Sequence, residues 1–243
     1  MQDVQDTGVI PRLEEMLDLD HAFYIDYSRV RRHQIRVMEI SAEIGRILGL
    51  DERKMEILGI AARLHDYGKR IWTPEMIFKK KEKMDEYERD LVYTHPVMSA
   101  NLIRIDLEMY DRCVFEVFSK YYSDVFRIIE CHHENYDGSG YPFGLKSGEM
   151  PFESEIIHSA DAYDAMRSPR LYRGVKHQLI SHEAAIRKMK EKSGIEFHPK
   201  VAAAFLRIPK EWLESIHESV NSITERKITE MYGYEISRKV TDH

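Results

Sequence analysis

The stretch RVRRHQIRVMEISAEIGRILGLDERKMEILGIAARLHDYGK, residues 29–69, decides the fold. Val30, Val37, Ile40, Ile44, Ile47 and Leu48 recur at helical spacing, and Gly49 then stops the helix. Asp51 is a good N-cap for a second helix running through Met55, Leu58, Ala62 and Leu64 to Gly68. The same period continues outward. Thr73-Pro74 opens a helix with proline at its first position, and residues 85–105 read as another, with a kink or boundary near Pro96. Residues 112–133 read as one long apolar-aromatic helix ending at His132 and His133. Pro151 opens a helix through Ile156, Ile157, Ala160 and Ala165, and two more start at Ser181 and after His198. A last helix over 210–232 places Trp212, Ile216, Val220 and Ile223 on one stripe. No segment alternates as a strand should, so the expected fold is an all-α helical bundle. Residues 135–150, dense in Gly, Asn, Asp and Pro, are its one long loop.

The chain has 243 residues, 43% of them hydrophobic, enough to bury a large core. Its net charge of -6 argues against a broad basic surface for DNA, although a local basic pocket for an anion is compatible with it. Cys113 and Cys131 read as buried reduced thiols rather than a disulfide framework, which favours a reducing compartment. No apolar run approaches the roughly 20 residues of a membrane helix. Residues 1–20 lack the apolar core of a signal peptide. By elimination the expectation is a cytoplasmic protein.

Twelve histidines are a rich supply, and their placement matters more than their number. His33, His65-Asp66, His95 and His132-His133 fall at or near helical segments, with Asp161 and Asp164 later in the chain. A lone histidine on a helix is more often packed or solvated than a ligand, and Asp161 alone would read as a surface acid. Together they fit a divalent metal site, because such ions accept neutral imidazole and carboxylate at once. On a regular helix, His65 and Asp66 would point about 100° apart and still reach one centre. Two metals about 3.5–4 Å apart suit hydrolysis of a phosphate ester.

The blocks also carry a resemblance. His33, His65-Asp66 and Asp161 resemble the H…HD…D pattern of the HD superfamily of metal-dependent phosphohydrolases. His65-Asp66-Tyr67-Gly68-Lys69, His95-Pro96, His132-His133-Glu134, Asp137-Gly138-Ser139-Gly140-Tyr141-Pro142, Asp161-Ala162-Tyr163-Asp164-Ala165 and Ser168-Pro169-Arg170-Leu171-Tyr172-Arg173 are similar to its HD-GYP subfamily. The resemblance covers roughly residues 28–208, between a short extension at 1–27 and a C-terminal helix and tail at 209–243. It implies a bacterial signalling hydrolase, a phosphodiesterase that opens cyclic di-GMP to pGpG and/or GMP through a hydroxide bridging two metals. The implied ligands are His33, His65, Asp66, His95, His132, His133 and Asp161, with Asp66 as the bridge. Asp66 and Lys69 are the implied catalytic residues, and Lys69, Arg170 and Arg173 the implied contacts to substrate. Iron or manganese is the implied metal, and zinc or nickel also fits the ligand types. Two further readings stay open: hydrolysis of another nucleotide such as cyclic GMP-AMP or a linear one, and a cyclic-dinucleotide-binding module with little turnover. The loop is implied in protein contacts. The C-terminal helix is a candidate dimer contact, with packing on its own domain the simpler reading.

The sequence departs from the family pattern in places. Arg29 stands where three-metal members carry a glutamate ligand, so a two-metal site is expected. Ser99 replaces a glycine and is expected to crowd the packing without removing a ligand, and His198 replaces a helix-capping aspartate. Arg170-Leu171-Tyr172 departs from an Arg-Pro-Tyr element. The 27 residues before the match are too few for a sensor domain, so regulation is expected through partners, oligomerisation or metal supply.

Overall fold

The structure, a computed structural model, describes residues 27–72, 84–168 and 180–220. Among them it is all-helical: α1 (Tyr27–Leu48), α2 (Glu52–Leu64), a short 3-10 turn (Tyr67–Ile71), α3 (Glu86–Tyr110), α4 (Arg112–Tyr121), α5 (Ser123–Glu130), α6 (Phe152–Arg167), α7 (His182–Glu191) and α8 (Pro199–Phe205). Residues 210–220 form α9. Two isolated bridges, Asp137 with Lys146 and Ser193 with Phe197, are the strand-like pairings among the described residues. The expected bundle is therefore the observed one. The helix expected at Thr73-Pro74 lies outside the described residues.

α1 packs against α2 and α6, and α3 packs against the 3-10 turn, α4 and α5. Val37, Ile40 and Ile44 of α1 are fully buried, as the spacing requires. They join Leu58 and Ala61 of α2, Ile103 and Leu107 of α3, Ile129 of α5 and Ile157 of α6 in one core. Caps set the helix starts. Asp51 accepts a hydrogen bond from Lys54 N at 2.9 Å, and Asp85 and Glu88 form a reciprocal capping box on α3. His198 caps α8 by accepting from Lys200 N at 3.0 Å, so it does the task expected of an aspartate there.

Three expectations about elements need correction. The single helix over 112–133 is two, broken at Tyr122. Tyr122 is buried and stacks on Phe118, and its hydroxyl donates to Glu56 at 2.7 Å. The backbone leaves the helix there, with φ -125°. Of the kink or boundary expected near Pro96, the boundary is overturned, since Pro96 lies inside α3. Cys131 is buried, whereas Cys113 near the start of α4 is exposed.

α9 folds back on the domain: Leu213 and Val220 are buried, and Trp212 packs against the core. Ile223 and residues 221–232 lie outside the described residues. No helix among the described residues is long and apolar enough to cross a membrane.

Candidate metal centre

Five elements deliver the site. α1 supplies His33. The end of α2 supplies His65 and Asp66, and the middle of α3 supplies His95. The turn after α5 supplies His132 and His133, and α6 supplies Asp161. These side chains gather into two adjoining groups, His33–His65–Asp66 and His95–His132–His133, each compact enough to hold one cation. Asp66 faces both: its Oδ2 is 3.6 Å from Nε2 of His33 and of His65, and its Oδ1 is 3.2 Å from His95 Nε2. Asp161 lies between the groups, with Oδ1 3.0 Å from His33 Nε2 and Oδ2 3.9 Å from His133 Nδ1. The regular-helix picture of the His65-Asp66 pair does not hold, because α2 ends at Leu64 and Asp66 has φ -100° and ψ 13°. The turn there brings both side chains to the same centre.

Three of the histidines share one device. Nδ1 of His65, His95 and His132 donates to the backbone carbonyl three residues earlier: Ala62 at 2.7 Å, Val92 at 2.5 Å and Ile129 at 2.6 Å. Those carbonyls are available for definite reasons. Ala62 and Ile129 sit in last helical turns, beyond the regular intrahelical ladder, and Ile129 O also accepts from His132 N at 3.4 Å. Val92 would normally bond the N–H of residue 96, and proline has none. A proton fixed on Nδ1 leaves a lone pair on Nε2. Nε2 of His65, His95 and His132, with Asp66 Oδ1, are buried and have no hydrogen-bond partner. Burying such acceptors unpaired is costly. His95 Nε2 and Asp66 Oδ1 face each other at 3.2 Å, two lone pairs that a cation would join. On this test the residues fit two divalent cations.

The electrostatics agree. Burial holds His65, His132 and His133 below the usual histidine range, so they are neutral and competent as ligands. Burial alone would raise Asp66, but Lys69, His65 and His95 hold its carboxyl well below the usual range. Asp161 behaves likewise, with His33 overcoming its burial. His33 is the exception. Burial opposes its charge, but hydrogen bonds to Asp161 and Asp164 raise it to about 9.

Asp164, named with the acidic constellation but not among the implied ligands, explains that behaviour. It is fully buried, and its Oδ2 accepts from His33 Nδ1 at 2.7 Å. Arg36 donates to both of its oxygens, at 2.6 and 3.0 Å, and Ser168 Oγ adds a bond at 3.0 Å. The sequence did hold a signal: Arg36 follows His33, and Asp164 follows Asp161, by one helical turn, so each supporter shares its ligand's face.

Two other supporters surround the paired histidines. His158, one turn before Asp161, donates from Nδ1 to the His132 carbonyl at 3.1 Å. Glu134 is buried, and its carboxylate accepts from Phe143 N at 2.6 Å and Leu145 N at 2.9 Å, which ties the loop to the site. In the loop, Gly138 has φ +84°. Gly140 instead permits close approach, since a Cβ there would come within 2.5 Å of His133 O. Tyr141 stacks on His133 at 4.7 Å.

Lys69 Nζ lies 2.5 Å from Asp66 Oδ2, at the edge of the first group. Ser99 does not crowd the packing. Its hydroxyl accepts from Gly68 N at 2.8 Å and braces the His-Asp turn against α3. Arg170 and Arg173 lie outside the described residues, as does the side chain of Arg29.

Comparison with known proteins agrees with this geometry. The model of the HD domain family matches residues 12–201. A cyclic di-GMP phosphodiesterase of Thermotoga maritima is 33% identical over 184 residues, covering 74% of this chain and 45% of that protein. A 3'3'-cGAMP-specific phosphodiesterase 1 of Vibrio cholerae is 34% identical over 143 residues, covering 59% of this chain and 30% of that protein. Among solved structures, Bd1817, an HDG"Y"P protein from Bdellovibrio bacteriovorus, superposes with a TM-score of 0.51 at 22% identity, covering 71% of this chain and 50% of that one. The chain thus spans less than half the length of these curated relatives. It belongs to the HD domain family and, within it, to the HD-GYP-like phosphohydrolases related to cyclic-dinucleotide phosphodiesterases.

Proposed function

We propose that this chain is a metal-dependent phosphodiesterase that hydrolyses a cyclic dinucleotide. The observation that carries the reading is the meeting of unpartnered Nε2 atoms from His65, His95 and His132 with an Asp66 carboxylate that faces both groups. His33, His65, Asp66, His95, His132, His133 and Asp161 would hold two divalent cations, iron or manganese by the family resemblance, which would polarise the phosphate and lower the pKa of a bound water. The chain's own residues supply the rest. Asp164 and the three backbone carbonyls hold the imidazoles in the tautomer that leaves Nε2 available. Lys69 is a compact positive charge at the edge of the site, suited to a non-bridging phosphate oxygen. Arg170 and Arg173 are assigned to the substrate side. Residues 28–208 are assigned as the catalytic unit, flanked by 1–27 and 209–243.

The ligands grip phosphate, so they do not choose the bases. Relatives named for cyclic di-GMP and for 3'3'-cGAMP stand at nearly equal identity, 33% and 34%. The reading therefore covers a cyclic dinucleotide of two guanines or of one guanine and one adenine. The test is anaerobic loading with Fe2+ or Mn2+, then chromatography after incubation with cyclic di-GMP, 3'3'-cGAMP, cyclic di-AMP and a linear dinucleotide. Metal-dependent opening of a guanine-containing ring supports the reading, and the products distinguish pGpG from GMP. Binding of the rings without turnover by fully loaded protein would instead make the chain a receptor.

A further inference from the structure

The cage around Asp164 is not built by α1 and α6 alone. His217, on α9, places Nε2 3.4 Å from Asp164 Oδ1. That nitrogen is buried and makes no hydrogen bond among the described residues. Burial holds the ring below the usual histidine range, so it is neutral and can direct an N–H dipole at the carboxylate. The other four contacts to Asp164 come from His33, from Arg36 twice and from Ser168. Leu213 and Val220, buried on the same helix, seat α9 against the domain. α9 also lies beyond residue 201, where the match to the family model ends.

We infer that His217 is a positioning residue for the metal site, acting through Asp164 on His33. The chain of contacts is short and specific. His33 presents Nε2 to the first group only if Nδ1 stays bonded to Asp164 Oδ2, so whatever restrains Asp164 also orients His33. Arg36 bonds both oxygens of Asp164, and His217 adds a contact to Oδ1 at 3.4 Å from α9, an element outside the matched family region. α9 is then a clasp: seated, it orders His33 for a divalent cation, and displaced, it loosens that ligand while leaving His95, His132 and His133 untouched. The inference rests on the metal reading of the site and is independent of the substrate.

The experiment is calorimetric titration of Mn2+ into metal-free full-length chain, comparing wild type with His217→Ala, His217→Gln and Asp164→Asn. Outer partners of metal ligands typically cost about 10–100-fold in affinity when removed, and Asp164→Asn is expected in that range at one of two sites. His217 acts one step further out, so His217→Ala is expected to weaken the same site about fivefold and leave the other within about twofold. His217→Gln keeps an N–H donor near the Nε2 position and is expected to restore most of the loss. Restoration separates positioning from mere helix packing, which both variants would disturb alike. His217→Ala binding both ions as tightly as wild type overturns the inference, and so does equal weakening by Ala and Gln. Wild-type chain that takes up no divalent ion overturns the metal reading, and the inference with it.

Discussion

Replacing Pro96 with alanine should stabilise the fold and weaken the metal site together. Pro96 is buried in the middle of α3, where an interior proline normally costs about 3 kcal/mol relative to alanine. Removing its two outer ring methylenes from the core loses about 0.8 kcal/mol each, so the variant gains roughly 1.4 kcal/mol in net stability. For a chain of this size that is a rise of about 3–6 °C in the thermal midpoint. The new N–H at residue 96 would bond Val92 O, which now accepts from His95 Nδ1 at 2.5 Å. With that acceptor shared, His95 loses the fixed tautomer that leaves Nε2 for a cation. Loss of an outer partner costs about 10–100-fold, and a shared one should cost about three- to tenfold at the group His95–His132–His133. Scanning calorimetry of metal-free protein and Mn2+ titration read the two effects separately. A variant that binds both ions as wild type does, or one whose thermal midpoint falls, would show that the proline does not act by freeing the carbonyl.

Asp66→Ala should abolish hydrolysis and lower uptake at both groups at once, because its two oxygens face both; retention of one full-affinity ion would contradict the bridging geometry. Metal analysis of loaded protein should find two ions per chain, and three tightly held ions would refute the two-group count. In metal-free protein His33 is raised to about 9 by Asp161 and Asp164 against its burial, so the stability it adds is fully present below pH 6.5 and lost as pH rises through about 9. His65, His132 and His133 are lowered by burial, so stability tied to them is lost as pH falls below 6.5. The thermal midpoint in chelator should therefore peak near pH 6.5, and a midpoint still climbing between pH 7 and 9 would refute this balance. Burial raises the Cys131 thiol to about 11, so iodoacetamide at mildly alkaline pH should label the exposed Cys113 and spare Cys131, as peptide mass mapping would record.

The bundle was legible because its evidence is local. Spacing on α1 and α2, the stop at Gly49 and the cap at Asp51 all depend on residues within a turn or two of one another. The break at Tyr122 was not legible, because the partner its hydroxyl meets there, Glu56, lies 66 positions away. The bracing role of Ser99 is hidden for the same reason: its partner, Gly68 N, belongs to another element.

The site divides along the same line. Sequence alone determined which residues can ligate a metal, since imidazole and carboxylate chemistry belongs to the side chain, and it put His65 beside Asp66 and His132 beside His133. Only the tertiary structure decided how they are grouped, which nitrogen each presents and what holds it there. Asp164 lies 131 positions from His33, and His217 lies farther still, yet both bear on how that one imidazole is held. A tautomer is set by whichever acceptor reaches the other ring nitrogen, and which acceptor reaches it depends on how helices distant in the chain pack together.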